Sequence, residues 1–314
     1  MTMTRAELEE AALAFADLGL APAAGASWEA IAGLGWLSME VPEARGGLGL
    51  GRDAAGALHT ALGRSLVRGP AIAQLQVIAA LAQADQPDML SRAMGGEIMT
   101  ASLAGDRSQR WVPDADRASQ VLVDDGERIA LVPLAGCRIE PIVTWDETRR
   151  MFEVTTAAAG IVLAEGAAAA RLSATLHGQL LFALAGDSLG GAGAVLAMTI
   201  EYLITRRQFD RPLAMFQALK HRAADLKTRL SAAEALFWSR AAGAPSLTEL
   251  GALKALATTL YRDVAEEAIQ LHGGIGLTME YPCHRFLKRA LLNCALGGDA
   301  DLWEERAGRA LLAG

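Results

Sequence analysis

A long segment without proline, from residue 167 to residue 206, restricts the fold more than any other part of this chain. Alanine and leucine dominate the segment, and both residue types favour helix. Its many small side chains also allow neighbouring helices to pack closely against it. We therefore predict one continuous helix over 167–206. Pro212 has no amide hydrogen to donate, so it forces a break before the next helix.

The rest of the C-terminal half continues the helical pattern. After a turn at Gly243-Ala-Pro-Ser246, the side chain of Ser246 or Thr248 is expected to cap a helix, because its oxygen can accept a hydrogen bond from a free backbone amide. Further helices are predicted over 214–242, from this cap to about 272, over 283–296 and, briefly, after Asp299. Long antiparallel helices joined by short turns predict a helical bundle.

The N-terminal part is also helical in pattern, with Ser27 as the predicted N-cap of a helix that ends at Gly35. Between about 100 and 165 the pattern changes to short β-prone runs separated by Gly, Pro and Asp. We expect a small β domain with about four to six strands there. The predicted fold is therefore mainly α with a small β domain. Its parts are an N-terminal helical domain (1–98), a middle β domain (99–165) and a C-terminal helical bundle (166–314).

The composition argues against several classes of protein. Acidic residues outnumber basic ones by 36 to 29 in the 314-residue chain and no basic stripe stands out, so a nucleic-acid partner is not expected. Cys137, Cys283 and Cys294 have no paired spacing, which argues against disulfides or a metal site and favours a reducing cytoplasm. The apolar stretches at 69–84 and 172–186 are short and carry polar residues, so we predict buried helices and no membrane span.

Two short motifs in the C-terminal half have residue types that suit a phosphate and a planar ring. In Arg206-Arg-Gln-Phe-Asp-Arg-Pro212, an arginine can donate two hydrogen bonds to a phosphate and Phe209 can pack on a heterocycle. In Gln270-Leu-His-Gly-Gly-Ile-Gly276, adjacent glycines let the backbone approach an anion. Each motif alone has a simpler interpretation, the first as a solvated helix end and the second as a glycine cap.

Together and in this order, the two motifs resemble the flavin-binding half of the acyl-CoA dehydrogenase family. The segment from Trp28 to Gly49 is similar to the N-terminal helical domain of that family, and the segment from Asp146 to Arg150 is similar to the end of its middle domain. The resemblance therefore spans nearly the whole chain. The matching motif residues are Arg206, Gln208, Phe209, Gln217, Ala224-Asp-Leu226, Gln270, Gly273, Gly274, Gly276 and Glu280-Tyr-Pro282.

The resemblance implies a fold, a cofactor and a reaction. Members of the family have a helical N-domain, a middle β-barrel, here shortened, and a C-terminal four-helix bundle, and their FAD lies across a subunit interface. They dehydrogenate an acyl-CoA thioester: a glutamate removes the α-proton while the flavin accepts the β-hydride. An electron-transfer flavoprotein is the expected acceptor. By the resemblance, the adenosine and pyrophosphate end of a flavin would contact Arg206, Gln208, Phe209, Gln217, Gln270, Gly273 and Gly274.

The chain departs from the family where the catalytic base is expected. The usual glutamate position corresponds to Gly297 or Gly298, and the nearest carboxylate, Asp299, is a weak candidate whose simpler role is to cap the last helix. The alternative family position falls near Leu180, and Asp187 further along the same helix is a second weak candidate. A carboxylate inside a packed helix is costly unless it is paired, so structural pairing is the simpler role for Asp187.

The middle domain departs as well. Thr100-Ala-Ser-Leu-Ala-Gly-Asp106 replaces the family's Thr-Glu-Pro stretch, which leads to the flavin ring, and the glycine-lysine loop that follows it is missing. Phe209-Asp210 replaces Phe-Gly. The groups for a neighbour's flavin remain, whereas those for this chain's own active site are lost. That pattern resembles the degenerate subunit of heteromeric bacterial members.

Three hypotheses follow for the function. The first is a subunit of an FAD-dependent acyl-CoA dehydrogenase, in a dimer or heterotetramer with a catalytic subunit that supplies the base. The second is a self-sufficient homomeric dehydrogenase that uses Asp299, Asp187 or Glu280 as base. The third is a helical scaffold that has lost the flavin, which the retained Arg206 and glycine pair disfavour. A steroid, branched or aromatic acyl group is suggested only by analogy.

Overall fold

The computed structural model describes residues 3–12, 24–84, 86–156 and 159–313 of the chain. The N-terminal helices are α1 (Arg5–Ala12), α2 (Ala24–Gly33), α3 (Gly51–Arg64), α4 (Ala71–Gln83) and α5 (Pro87–Met94). Helix α2 begins at Ala24, so the prediction that Ser27 caps it is wrong. Ser27 has a side chain suited to an N-cap, but the Ala-Gly-Ala residues before it are already helical, so Ser27 lies inside the helix.

The middle region forms two small sheets. Strands β1 (Met99–Ala101), β3 (Gln120–Asp124), β4 (Arg128–Pro133) and β7 (Ile161–Glu165) make the first sheet, in the order β1-β3-β4-β7. Strands β2 (Val112–Pro113), β6 (Met151–Thr155) and β5 (Arg138–Ile142) make the second sheet. The pair β1–β3 is parallel and the other pairs are antiparallel. Seven strands are described between 99 and 165, more than predicted, because two-residue and three-residue strands leave no pattern in the sequence.

The C-terminal half is a bundle of long helices, as predicted. Its helices are α6 (Gly166–Thr205), α7 (Gln217–Ala242), α8 (Leu247–His272), α9 (Cys283–Ala295) and α10 (Ala300–Ala313). Ser246 is the cap of α8: its Oγ accepts a hydrogen bond from the amide of Glu249, whose carboxylate accepts one from the amide of Ser246. The mainly α fold with a small β domain is thereby confirmed.

Small residues let α6 and α3 cross at close range. A Cβ atom at Gly190 of α6 would overlap the carbonyl oxygen of Thr60, and one at Gly63 of α3 would overlap the carbonyl of Asp187. One continuous apolar core joins these helices to the N-terminal helices and to the first sheet. The small faces predicted from the sequence therefore serve to bring the backbones of two helices together.

Helix α6 is long and apolar enough to cross a membrane by length and composition alone. From the sequence we expected the apolar stretches to be too short to span a membrane. The structure differs because the stretch at 172–186 belongs to a helix that is continuous over 40 residues. Of its most apolar window, 83% is buried inside the protein, where it packs against α3 and α8. The helix therefore forms the centre of the core.

Candidate functional site

The first motif forms a short hairpin after α6. Strands β8 (Arg207–Gln208) and β9 (Arg211–Pro212) pair antiparallel, with Arg207 opposite Pro212. Phe209 and Asp210 make the turn with φ of 52° and 63°, the left-handed conformation that a two-residue hairpin needs. Glycine is the usual choice for this conformation and Asp tolerates it, whereas Phe rarely adopts it. The hairpin therefore holds its turn at some cost in backbone strain.

Phe209 stands clear of the protein at the tip of this hairpin, with 85% of its surface exposed. Its ring meets that of Phe216 edge to face, with centroids 6.2 Å apart. The guanidinium of Arg211 lies 4.0 Å from the centre of the Phe216 ring. The Phe209 ring is therefore supported from one side and open on the other, so a planar ligand can stack on it.

The arginines of the motif differ in how far they are already engaged. The Arg207 guanidinium donates to the carbonyl oxygen of Asp210 at 2.7 Å and so braces the turn. Arg206 is held by its backbone, which donates to the carbonyl of Tyr202 and accepts from the amide of Leu213, while its side chain is exposed. Gln208 and, at the start of α7, Gln217 are also exposed. The Arg206 side chain is thus available to an anion.

The second motif ends α8. Gly273 has φ of 66° and ψ of −146°, a conformation that side chains with a Cβ rarely adopt, and its amide donates to the carbonyls of Ile269 and Gln270. A Cβ at Gly273 or at Gly274 would meet nothing within 4 Å. The Gly273 amide is therefore used to cap the helix. What the glycine pair offers is bare, exposed backbone that a ligand can approach closely.

A stack of aromatic rings joins the two motifs. The ring of Tyr202, one turn before Arg206, lies 4.3 Å from the ring of His272, and its hydroxyl donates to the His272 carbonyl at 3.3 Å. Tyr281 packs on both, with centroids 5.4 Å from Tyr202 and 4.9 Å from His272. The ends of α6 and α8 therefore meet, which brings Arg206 and Gly273 to the same end of the bundle. Tyr202 and Tyr281 were not predicted as site residues, although the aromatic one turn before Arg206 was a usable signal.

The chemistry of this end is that of a binding surface. Cys283 lies against His272, with Sγ 3.6 Å from Nδ1, and burial raises the pKa of its thiol to about 11, so the thiol stays protonated near neutral pH. Within the described residues, no group of three or more His, Cys, Asp or Glu side chains could hold a metal ion. Exposed arginines, an exposed ring and open glycine backbone suit a ligand with phosphates and a planar base.

The turn after α9 has left-handed backbone and packs closely against leucine side chains. Gly297 and Gly298 both have positive φ, 69° and 87°. A Cβ at Gly297 would lie 3.0 Å from Cδ1 of Leu184, and one at Gly298 would lie 2.7 Å from Cδ2 of Leu302. The amide of Gly297 donates to the carbonyl of Leu103 at 2.9 Å. The segment that replaces Thr-Glu-Pro is thereby fixed directly against this turn.

Both weak carboxylate candidates are engaged in structural contacts. Oδ1 of Asp299 accepts a hydrogen bond from the amide of Leu302 at 2.9 Å, as an N-cap of α10 does. Asp187 is 1% exposed and its carboxylate receives hydrogen bonds from Arg149 at 2.8 Å, Arg289 at 3.0 Å and Asn293 at 2.7 Å. Burial opposes ionisation of Asp187, but the two guanidiniums outweigh it and lower its pKa, so the group is a weak base.

Comparison with known proteins gives consistent matches. Residues 178–312 match the C-terminal domain of acyl-CoA dehydrogenases. Over 260 residues the chain is 32% identical to acyl-CoA dehydrogenase IpdE2 of Mycobacterium tuberculosis, covering 82% of this chain and 77% of that protein. Among solved structures, a chain of a variant of the Tcur3481-Tcur3483 steroid ACAD superposes with a TM-score of 0.86 at 26% identity, over 99% of this chain and 98% of the other. The ChsE4-ChsE5 complex from Mycobacterium tuberculosis shares the fold, with a TM-score of 0.85 at 24% identity over 100% of this chain and 99% of that one.

Proposed function

Because this chain belongs to the acyl-CoA dehydrogenase family, we propose that it is a subunit of an FAD-dependent acyl-CoA dehydrogenase that completes the flavin site of a catalytic partner subunit. One contrast carries the proposal. The end of the bundle with Arg206, Phe209 and Gly273 is exposed and open to a ligand, whereas the turn at Gly297 packs against Leu184 and carries no carboxylate at the position where the family keeps its base. On this proposal the chain keeps the surface that serves a neighbour and has no base of its own at this turn.

The exposed end fits the adenosine and pyrophosphate part of FAD. Arg206 supplies a guanidinium for a phosphate, Phe209 supplies an open ring face, and Gly273 with Gly274 lets the cofactor approach the backbone. FAD, when bound, accepts the hydride in the reaction of this family. The residues of this chain bind and orient one end of it, and the proton at the α-carbon is removed by a carboxylate of the partner subunit.

The comparison proteins support a heteromeric assembly and an acyl-CoA substrate. The names Tcur3481-Tcur3483 and ChsE4-ChsE5 each denote a pair of chains, and the first pair is described as a steroid ACAD. By this likeness we propose a dimer or heterotetramer with a catalytic subunit, a bulky or steroid acyl-CoA as substrate, and an electron-transfer flavoprotein as acceptor. We further propose that the assembly works in the cytoplasm, since the chain carries free cysteines without paired spacing.

The proposal is tested by the ratio of flavin to protein. The chain purified alone should hold little FAD and bleach none with an acyl-CoA. Co-expression with a family member that keeps the glutamate in the turn after the fourth bundle helix should give a complex with bound FAD and turnover. In that complex Arg206→Ala should weaken FAD binding about tenfold to a hundredfold, the loss expected for one hydrogen bond to a charged group. Arg309→Ala, an exposed arginine of α10 paired with Glu305, is the matched control and should change nothing.

A self-sufficient homomeric dehydrogenase is the alternative. It predicts one FAD per chain in the isolated protein, bleached by an acyl-CoA, and loss of that bleaching when one carboxylate is removed. Asp187, Asp299 and Glu280 are the residues to replace. Full turnover by the chain alone would overturn the proposed division of labour.

A further inference from the structure

A cleft formed by α1, α3, α6 and α7 is separate from the flavin motifs and from the position of the family's base. Its volume is about 740 Å3, within the range of roughly 300–1,000 Å3 for small-molecule sites. None of its lining residues belongs to the flavin motifs, to the segment 100–106 or to the turn after α9. A ligand in this cleft therefore has its own set of contacts.

Helix α6 shows how the cleft is set apart. Leu189 is the residue of α6 that lines it, and at about 1.5 Å per residue the rest of the helix to Thr205 adds about 24 Å before the hairpin of the first motif. Gly297 packs on three other leucines of α6, which are Leu180, Leu181 and Leu184. At about 100° per residue, Leu189 points roughly 130° away from their mean direction. The body of α6 therefore lies between the cleft and the turn at Gly297.

The floor of the cleft is apolar and rigid. Ala57 and Ala61 of α3, Leu189 of α6 and Phe237 of α7 line it, and each is at most 9% exposed. The ring of Phe237 stacks on the ring of Phe182, with centroids 4.5 Å apart. Because these side chains belong to the continuous core, the floor can hold the apolar body of a ligand without rearrangement.

The wall formed by α3 presents an unpaired hydroxyl. Oγ1 of Thr60 lines the cleft, is buried and has no hydrogen-bond partner among the described residues. A threonine inside a helix can donate to the carbonyl four residues earlier, as Thr199 does to Val195 at 2.7 Å, but Thr60 makes no such bond. A buried hydroxyl without a partner costs free energy, so a ligand that accepts a hydrogen bond from Thr60 gains stability.

Two charged side chains without partners lie on different walls of the cleft. Arg64 is on α3, one turn after Thr60 and on the same face of the helix, and Glu234 is on α7. Neither makes an ion pair or a hydrogen bond with any described residue, including each other. A Cβ at Gly193 would lie 3.9 Å from Oε1 of Glu234, so this carboxylate is held near the bare backbone of α6. An unpaired cation and an unpaired anion in one cleft match a ligand that carries both charges.

The rim formed by α1 adds negative charge. The guanidinium of Arg5 lies 5.0 Å from the centre of the Trp238 ring and 3.6 Å from the carboxylate of Glu9, so Arg5 and Glu9 largely neutralise each other. Glu10 is a further exposed carboxylate at the rim and has no ion-pair partner among the described residues. The charge left at the rim therefore attracts the positive end of a ligand.

We propose that this cleft binds a small apolar zwitterion, of the class of apolar amino acids and dipeptides. Its carboxylate pairs with Arg64 and accepts a hydrogen bond from Thr60, and its ammonium group pairs with Glu234. Its apolar body packs on the floor at Ala61, Leu189 and Phe237. The site is independent of the flavin surface and gives this chain a ligand of its own in addition to its role towards a partner.

Isothermal titration of the full chain, without FAD, tests the site with three zwitterions: L-phenylalanine, L-leucyl-L-phenylalanine and ω-aminooctanoate. At least one should bind saturably with one site per chain. Its methyl ester lacks the negative charge and its deaminated analogue lacks the positive charge, so each should bind about tenfold more weakly, the loss expected for one hydrogen bond to a charged group.

Variants assign the two charges to their residues. Arg64→Met should bind the acid and its ester equally, and Glu234→Gln should lose most of the preference for the amine over its deaminated analogue. Arg171→Met and Glu304→Gln are the matched controls, because both residues are exposed, lie outside the cleft and make no ion pair with a described residue. Both controls should keep the two tenfold preferences.

The hydroxyl contact is tested separately. Thr60→Val keeps a branched side chain and removes the polar atom, so the zwitterion should bind about threefold to tenfold more weakly. The urea midpoint of the ligand-free chain should stay the same or rise, because the variant removes a buried hydroxyl that has no partner. A lower midpoint would show that this hydroxyl is paired within the protein and would overturn its assignment.

Two results refute the proposal as a whole. If none of the three zwitterions binds, or if Arg64→Met keeps the preference for acid over ester, the cleft holds water only. Neither result changes the FAD titration of the complex with a catalytic subunit, so this proposal and the proposed function fail separately.

Discussion

Removing the charge of Asp187 should destabilise the fold strongly. Asp187 belongs to a buried cluster with Asp146, Arg149 and Arg289, in which two carboxylates balance two guanidiniums. Asp187→Asn keeps the shape and removes one negative charge. Arg289 then still pairs with Asp146 at 2.7 Å, but Arg149 loses its only ion-pair partner among the described residues.

The magnitude follows from the burial of the cluster. The side chains of Arg149 and Asp187 are 6% and 2% exposed, so solvent cannot screen the charge that is left behind. Breaking a buried pair by removing one partner costs about 3–5 kcal/mol. This is a large part of the roughly 5–15 kcal/mol that stabilises a typical domain. The midpoint of urea unfolding, followed by circular dichroism, measures it.

A double variant separates the buried charge from lost packing. Asp187→Asn with Arg149→Met removes both charges and should recover part of the loss, because no uncompensated cation stays buried. The conservative exchange Glu305→Gln, in an exposed pair with Arg309, should change stability by less than about 1 kcal/mol. If Asp187→Asn costs less than about 1 kcal/mol, or if the double variant is as unstable as the sum of the single ones, the reasoning is refuted. A selective loss of turnover at unchanged stability would instead support Asp187 as a base.

Three further predictions concern the turns and the lysine beneath one of them. Asp210→Gly should raise the free energy of unfolding by at most about 1 kcal/mol, since glycine accepts φ of 63° without strain and Asp adopts it at a modest cost; a lower urea midpoint would contradict this. Gly297→Glu should destabilise the fold by about 1–2 kcal/mol, because a residue with a side chain is strained at φ of 69° and the Leu184 side chain must shift. The isolated variant should still show no acyl-CoA-dependent flavin bleaching, because the proposed flavin site needs the partner subunit; gained bleaching would refute the proposal. Lys254 donates to the carbonyls of Cys294 and Gly298, and burial lowers its pKa from 10.5 to about 8. Between about pH 8 and 10.5 this lysine is protonated in the unfolded chain but largely neutral in the folded one. The free energy of unfolding, taken relative to that of Lys254→Met, should therefore rise with pH over this window by at most about 3 kcal/mol. A difference that does not change with pH would contradict the assignment.

The helices and their ends were predictable from the sequence because local rules decide them. Ser246 with Glu249 at the third position fixes the start of α8, and Pro212 breaks the chain after α6. Helix α2 shows the limit of the same rule, since a serine inside a helix and a serine at its cap look alike without the residues packed around them. The short strands β1 and β2 also escaped prediction because pairing with distant partners, such as Met99 with Gln120, defines them.

The sequence by itself therefore determined the mainly α fold, the bundle and the two motifs, since these depend on propensity, spacing and capping within a few residues. Only the tertiary structure decided that Tyr202 and His272 stack to join the motifs, and that Asp187 is enclosed by two arginines from other elements. It also decided that Gly297 is packed against Leu184. These contacts join residues far apart in the chain, and no local pattern specifies which distant side chains will meet.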